Sequence, residues 1–220
     1  MKANRGITLV LMTVVALLAL SGCSRSITGT AVAAPSTPGQ SVSDGAVKVG
    51  SGGREITMYV DFLCPACANL EKRDGAAITS AITAGTLTVA YRPMAFLDRQ
   101  SASGTYSSRA IKAFAATAKD SSPVITQRFV TALFAAQPRE GGPSDLTDPQ
   151  IADVAAKAGV PAATVAKIRD GKTGVDAAAI AAANLNSLKS IGGTGTPTVV
   201  NKGTRVDLTD TGWLQKVLAG

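Results

Sequence analysis

A pair of cysteines at the junction of a strand and a helix constrains this chain more than any other feature. Residues 56–62 are rich in β-branched and aromatic side chains, which is typical of a buried strand. The motif Cys64-Pro65-Ala66-Cys67 comes next, and apolar residues then recur at helical spacing over residues 66–84. Proline suits the first turn of a helix, where its missing N–H costs nothing. The sequence therefore predicts that Cys64 lies at a helix N-terminus, directly after a strand.

This placement gives the two thiols different roles. The unpaired N–H groups and the dipole of the helix favour thiolate over thiol, so we expect the pKa of Cys64 to be lowered and Cys64 to be the nucleophile. Cys67 lies nearly one turn further along and faces the body of the domain, where it would be the resolving thiol. A plain structural disulfide or half of a metal site remains an alternative interpretation of the pair.

The composition narrows the chemistry further. The chain has 220 residues, three cysteines and no histidine, which excludes Ser-His-Asp and Cys-His catalysis and most zinc and copper sites. Two thiols are also too few for a closed structural zinc site, so we expect no resident metal and no cofactor. The formal net charge is +7, but the basic residues are scattered and aromatic residues make up only 4%, so we expect no nucleic-acid binding.

The N-terminus has the features of an export signal. Lys2 and Arg5 precede an apolar stretch over residues 7–20, which is short for a membrane span and fits the hydrophobic region of a signal peptide. The following Leu20-Ser21-Gly22-Cys23 resembles the bacterial lipobox, in which the cysteine is acylated. We expect residues 1–22 to be a lipoprotein signal peptide and Cys23 to carry the lipid. A plain signal peptide or an N-terminal anchor helix with a chance cysteine is the alternative.

The segment after Cys23 predicts a tether. Residues 24–52 are dominated by Ser, Thr, Gly, Ala and Pro, which bury little apolar surface. We expect residues 23–52 to be a lipid-anchored flexible linker and residues 53–220 to be the folded domain. The protein would then be extracytoplasmic, attached to the bacterial membrane by its lipid anchor, in a compartment where disulfides form.

Residues beyond the motif alternate between strand and helix patterns. Residues 86–91 predict a second strand that Pro93 ends, and residues 103–190 are alanine-rich and predict four or five helices. Ser122-Pro123 and Asp148-Pro149 each resemble an N-cap followed by a proline in the first turn.

The C-terminal part of the chain predicts a hairpin and a helix. Residues 198–200 and 204–208 are expected to be strands joined by a turn, followed by a helix over residues 211–218 that starts from a Thr209 or Asp210 cap.

Two separated segments resemble the DsbA-like thioredoxin family: Val60-Asp61-Phe62-Leu63-Cys64-Pro65-Ala66-Cys67 and Gly195-Thr196-Pro197-Thr198-Val199. The resemblance implies an α/β thioredoxin fold over residues 53–220 with an inserted helical domain at about residues 95–192. It also implies a cis peptide at Pro197, which would lie against the cysteine pair, and places Thr196 facing the sulfurs. Pro65 and Ala66 would belong to the active-site surface that meets substrates.

The resemblance assigns Thr196 a substrate-binding role. Its main chain would hydrogen-bond an extended substrate, and its hydroxyl would donate to the Cys64 thiolate; packing alone is the other interpretation. Many family members also carry a buried acid six residues before the first cysteine, where this chain has Met58. Asp61 is the candidate substitute for proton transfer. The alternative interpretation is that its carboxylate only caps the end of the strand.

The function expected from these features is that of an extracytoplasmic thiol-disulfide oxidoreductase. Its substrates would be reduced or misoxidised exported proteins, and a membrane redox partner would reoxidise it. Two alternatives remain from the sequence: a disulfide reductase or isomerase, and a non-catalytic lipoprotein that binds peptides or copper(I) through the two thiolates.

Overall fold

The structure, a computed structural model, describes residues 42–220, and its centre is a mixed sheet of six strands in the order β1-β2-β4-β3-β5-β6. β3 and β4 are parallel, and every other neighbouring pair is antiparallel. The strands are β1 (Val42–Ser43), β2 (Ala46–Gly50), β3 (Arg54–Asp61), β4 (Leu87–Met94), β5 (Thr198–Asn201) and β6 (Thr204–Arg205).

Seven α-helices occur in the described residues. α1 connects the parallel strands β3 and β4, five helices lie between β4 and β5, and the last helix follows the β5–β6 hairpin. The helices are α1 (Pro65–Thr83), α2 (Tyr106–Asp120), α3 (Pro123–Ala135), α4 (Asp148–Ala158), α5 (Ala162–Arg169), α6 (Ala177–Ser190) and α7 (Trp213–Ala219). From β3 onward, this order of elements is the one that the sequence predicts.

Phe62 joins the cysteine motif to the helical block. It follows β3, is fully buried, and its ring lies 5.6 Å from that of Phe114 on α2 in an edge-to-face arrangement. The ring of Phe134 on α3 lies 5.2 Å from that of Phe62 in a tilted arrangement. Aromatic pairs at such distances add stability beyond their buried area. The loop that carries Cys64 is therefore packed directly against the inserted helices.

The prediction of a flexible linker over residues 23–52 is wrong for residues 42–50. Residues 42–50 form β1 and β2, and β2 pairs with β4 through Val47 and Val49, which are fully buried, while Lys48 between them is exposed. This alternation matches a half-buried strand. β2 covers an edge of β4 that would otherwise present unpaired backbone groups, so the folded domain begins before residue 53.

Pro93 does not end the second strand. It lies inside β4 opposite Val60 of β3, whereas the pairing of β4 with β2 stops at Tyr91. A proline is tolerated in a strand where no neighbouring strand needs a backbone N–H from that residue. The carbonyl of Pro93 accepts a hydrogen bond from Asn184 Nδ2 at 2.9 Å, so α6 packs on this part of the strand.

The helix starts differ from the predicted ones at two places. Ser122 caps α3 as expected, but the cap of α4 is Thr147, one residue before the predicted Asp148, and it forms a reciprocal capping box with Gln150. β6 ends at Arg205, and α7 begins at Trp213 with Gly212 as its cap, so neither Thr209 nor Asp210 caps this helix.

Candidate active site

The strand-to-helix turn places Cys64 and Cys67 as the sequence predicts. Cys64 is the N-cap residue of α1 in an extended conformation (φ −71, ψ 118), and Cys67 lies in the first turn. Both are free thiols, and their exposed fractions are 7% and 1%. Pro65 and Ala66 between them are exposed and form the outer tip of the site. Cys64 is therefore more accessible than Cys67, and Pro65 and Ala66 are more accessible than either.

The environment stabilises the thiolate of Cys64. Its pKa is lowered to about 6, chiefly because the Cys67 thiol donates a hydrogen bond to it, with further donation from Thr196 and from the backbone N–H groups of Cys67 and Ala66. Burial opposes these effects by penalising the charge. The lowered pKa expected at the helix N-terminus is confirmed, and the partner thiol adds a cause that the helix terminus alone does not supply.

Cys67 has the opposite character. Burial raises its pKa far above the ordinary value, and the neighbouring Cys64 raises it further. At neutral pH Cys67 is therefore a protonated donor to the Cys64 thiolate. Because of this asymmetry, Cys64 is the sulfur that stays ionised. It is also the more accessible of the two, so it can act as the nucleophile or as the sulfur that another thiolate attacks.

Thr196 meets Cys64 through its main chain. The Thr196–Pro197 peptide is cis, and the Cys64 thiol donates to the Thr196 carbonyl oxygen at 3.3 Å. The sequence predicts that this carbonyl is open to a substrate. In the structure it accepts the hydrogen bond of the Cys64 thiol instead. The Thr196 hydroxyl is buried and makes no hydrogen bond of normal geometry in the described chain, yet it lies near enough to both sulfurs to lower their pKa values.

Asp61 is a fully buried carboxyl group that holds three segments together. It accepts hydrogen bonds from Leu63 N–H at 2.9 Å, from Ser107 Oγ at 2.5 Å and from Leu97 N–H at 3.2 Å. Burial raises its pKa to about 6, and these three donors oppose the rise. The contacts favour the strand-end role over proton transfer, because every donor tethers a loop or helix to the end of β3.

Gln137, which follows α3, contributes to the site without a signal in the sequence. Its side-chain Nε2 donates to the carbonyl of Phe62 at 2.9 Å and to that of Cys64 at 3.0 Å. It is separated from Cys64 by 73 residues, so only the tertiary structure reveals the contact.

The described residues offer no metal-binding group of three or more histidine, cysteine or acidic side chains. None of their helices is both long and apolar enough to cross a membrane. Cys23 and the predicted signal peptide lie outside the residues that the structure describes.

The sequence of this chain matches the family model described as thioredoxin over residues 52–218. The chain belongs to the thioredoxin family. Among solved structures it is similar to the MdbA protein, a thiol-disulfide oxidoreductase from Corynebacterium diphtheriae, with 28% identity, a TM-score of 0.70 and coverage of 81% of this chain and 92% of that one. The oxidised DsbA of Mycobacterium tuberculosis has 28% identity and a TM-score of 0.64, covering 80% of this chain and 93% of that one. These similarities confirm the DsbA-like thiol-disulfide oxidoreductase class and the thioredoxin fold with a helical insertion.

A curated relative, the serine/threonine-protein kinase PknE of Mycobacterium tuberculosis, is 30% identical over 165 residues. The match covers 74% of this chain but only 29% of the kinase, so the chain spans less than a third of that relative. Kinase activity does not follow for this thioredoxin-family chain.

Proposed function

We propose that the protein is an extracytoplasmic enzyme that transfers the Cys64–Cys67 disulfide to reduced exported proteins. The opposite pKa shifts of the two thiols carry this proposal. Stabilisation of the Cys64 thiolate stabilises the reduced form of the pair, which makes the disulfide a stronger oxidant. The family and its solved thiol-disulfide oxidoreductases support the reaction class.

The reaction begins with the oxidised pair. A substrate thiolate attacks the Cys64 sulfur, the Cys64–Cys67 bond breaks, and the electron pair passes to Cys67, which takes up a proton because its pKa is high. The substrate is then held to Cys64 by a mixed disulfide.

A second substrate thiolate completes the transfer. It attacks the substrate sulfur of the mixed disulfide, and Cys64 leaves as a thiolate that its pKa of about 6 keeps ionised at neutral pH. The substrate loses two electrons and two protons. The enzyme keeps both electrons and one proton, and the other proton enters the solvent.

The Thr196 main chain supports substrate binding in this scheme. Its carbonyl accepts from the Cys64 thiol in the present structure, and that donor disappears when Cys64 joins a disulfide. The carbonyl is then available to a backbone N–H of an extended substrate, and main-chain recognition of this kind tolerates many sequences. Pro65 and Ala66 form the exposed tip against which the substrate lies.

The predicted leader completes the proposal. A signal peptide over residues 1–22 and a lipid on Cys23 would hold the domain outside the cytoplasm at a bacterial membrane, where a membrane redox partner reoxidises the cysteine pair.

The direct test is oxidation of reduced, unfolded ribonuclease by the oxidised full-length chain in the absence of another oxidant. We expect the wild type to form substrate disulfides in stoichiometric amounts, and Cys64→Ser to form none. Cys23→Ser is the matched control, because it removes the third cysteine without touching the pair. A wild type that reduces insulin disulfides readily but leaves ribonuclease reduced would show a reductase instead.

A further inference from the structure

Gln137 reaches from the helical insertion into the cysteine loop. It follows α3, and its backbone N–H donates to Phe134 O at 3.3 Å, so the end of the helix fixes its position. Its side-chain Nε2 uses one N–H for the carbonyl of Phe62 and the other for that of Cys64, at 2.9 and 3.0 Å. One amide group therefore holds the carbonyls on both sides of Leu63, immediately before the helix that bears the sulfurs.

The Cys64 carbonyl accepts the hydrogen bonds that start α1. It accepts the backbone N–H groups of Cys67 at 3.1 Å and Ala68 at 3.2 Å, which are the bonds that begin α1. The same first turn supplies the N–H groups of Ala66 and Cys67 that lower the pKa of the Cys64 thiolate. A donor that holds this carbonyl thus also holds the orientation of the groups that stabilise the sulfur.

Electrostatics adds a second effect. The oxygen of the Cys64 carbonyl is the negative end of a dipole in the same residue as the thiolate. The Gln137 N–H brings partial positive charge to that oxygen in a part-buried place, where such interactions are stronger than in water. Phe62 beside it is fully buried, so its carbonyl has little access to water as a replacement donor.

We propose that Gln137 is a positioning residue through which the helical insertion sets the stability of the Cys64 thiolate. The inference rests on the proposed use of Cys64 as the nucleophile, and it holds for either direction of exchange. The side-chain hydrogen bonds of Gln137 go to the carbonyls of Phe62 and Cys64 and not to a sulfur, so its effect passes through these carbonyls. It makes the inserted helices a part of the redox site.

The test compares Gln137→Met, which keeps the length of the side chain without its donors, with Gln137→Glu, which places carboxylate oxygens against the two carbonyls. Thiolate absorbance near 240 nm, recorded in the reduced full-length chain carrying Cys23→Ser so that only the pair reports, gives the pKa of Cys64. We expect Met to raise this pKa by about half a unit to one unit and Glu to raise it more. The equilibrium constant for oxidation of glutathione should fall in the same order, up to about tenfold for each unit.

Gln215→Ala on the exposed side of α7 is the control and should leave the pKa of Cys64 unchanged. A lower melting temperature in the Gln137 variants with an unchanged Cys64 pKa would show a merely structural role and overturn the inference. Should Gln137→Glu not fold, Gln137→Met alone decides by the same criterion. A wild type in which Cys64 titrates near 9 would instead contradict the proposed function, so the two failures are distinguishable.

Discussion

The Cys64 thiol donates a hydrogen bond to the carbonyl oxygen of Thr196, 3.3 Å away across the gap between two distant segments. The contact joins the start of α1 to the turn before β5, and Cys67 is buried in the first turn of α1. Cys64 carries no hydrogen once its sulfur is part of a disulfide, so in the proposed cycle the Thr196 carbonyl is open to another donor in the oxidised pair and in the mixed disulfide. The same two residues thus serve the thiol state and the mixed disulfide in turn.

The hydroxyl of Thr196 should contribute to the acidity of Cys64. It is buried next to the sulfurs and has no other partner of normal geometry in the described chain, so the thiolate is its natural acceptor. Thr196→Val, which keeps the shape and removes the donor, should raise the pKa of Cys64 by about half a unit, measured by thiolate absorbance. Thr196→Ser should stay close to the wild type. Equal Cys64 pKa values in Thr196→Val and in the wild type would show that the hydroxyl does not stabilise the thiolate.

The stability of the reduced protein should depend on pH through Cys64. Its pKa falls from 9.0 in an ordinary environment to about 6 in the fold, so the unfolded chain binds more protons between these values. Stability therefore rises with pH from 6 to 9 by about 1.4 kcal/mol per unit at most, and this contribution disappears as pH falls through 6. Urea unfolding of the reduced wild type and of Cys64→Ser measures the difference. A difference that does not vary with pH would contradict the lowered pKa.

Asp61 should show the opposite pH dependence. Its pKa rises from 3.8 to about 6 in the fold, so the native state binds more protons over this range, and stability falls as pH rises through it. The shift corresponds to about 3 kcal/mol, and Asp61→Asn, which does not titrate, should lack it. We expect the stability of the wild type relative to Asn to decrease between pH 4 and pH 6. A constant difference would show that the carboxyl titrates normally despite its burial.

Gly75 in the middle of α1 should resist replacement by alanine. A Cβ at this position would clash with Glu71 Oε1, which is buried and accepts hydrogen bonds from Thr131 and Gln127 of α3. Alanine normally stabilises a helix by about 1 kcal/mol relative to glycine. We expect Gly75→Ala to destabilise the wild type but to stabilise the Glu71→Ala variant, as measured by urea unfolding. The same sign in both backgrounds would show that Glu71 does not occupy this space.

The local features of the site could be predicted from the sequence. The strand, the helix and the two cysteines lie within one continuous segment, where residue pattern and the proline after Cys64 determine the geometry. Ser122 was likewise recognisable as a cap because its hydrogen bond to Ile125 is local. Such interactions depend on residues that are neighbours in the chain.

The contacts that complete the site could not be predicted in this way. Two of the donors to Asp61, Leu97 and Ser107, and the two acceptors of Gln137 belong to segments that come together only in the folded domain. β2 was missed for a similar reason, since its five residues form a strand because the edge of β4 is available to pair with them. A short run beside a segment rich in Ser, Thr, Gly, Ala and Pro carries little signal of its own.

The equilibrium redox potential of the Cys64–Cys67 couple tests the central claim most directly. The reduced full-length chain carrying Cys23→Ser would be titrated against glutathione at pH 7, so that only the pair reports. The account predicts a potential more positive than about −200 mV, because the stabilised Cys64 thiolate favours the reduced form. A potential near about −270 mV, as in a reducing thioredoxin, would contradict the proposed transfer of disulfides to exported proteins.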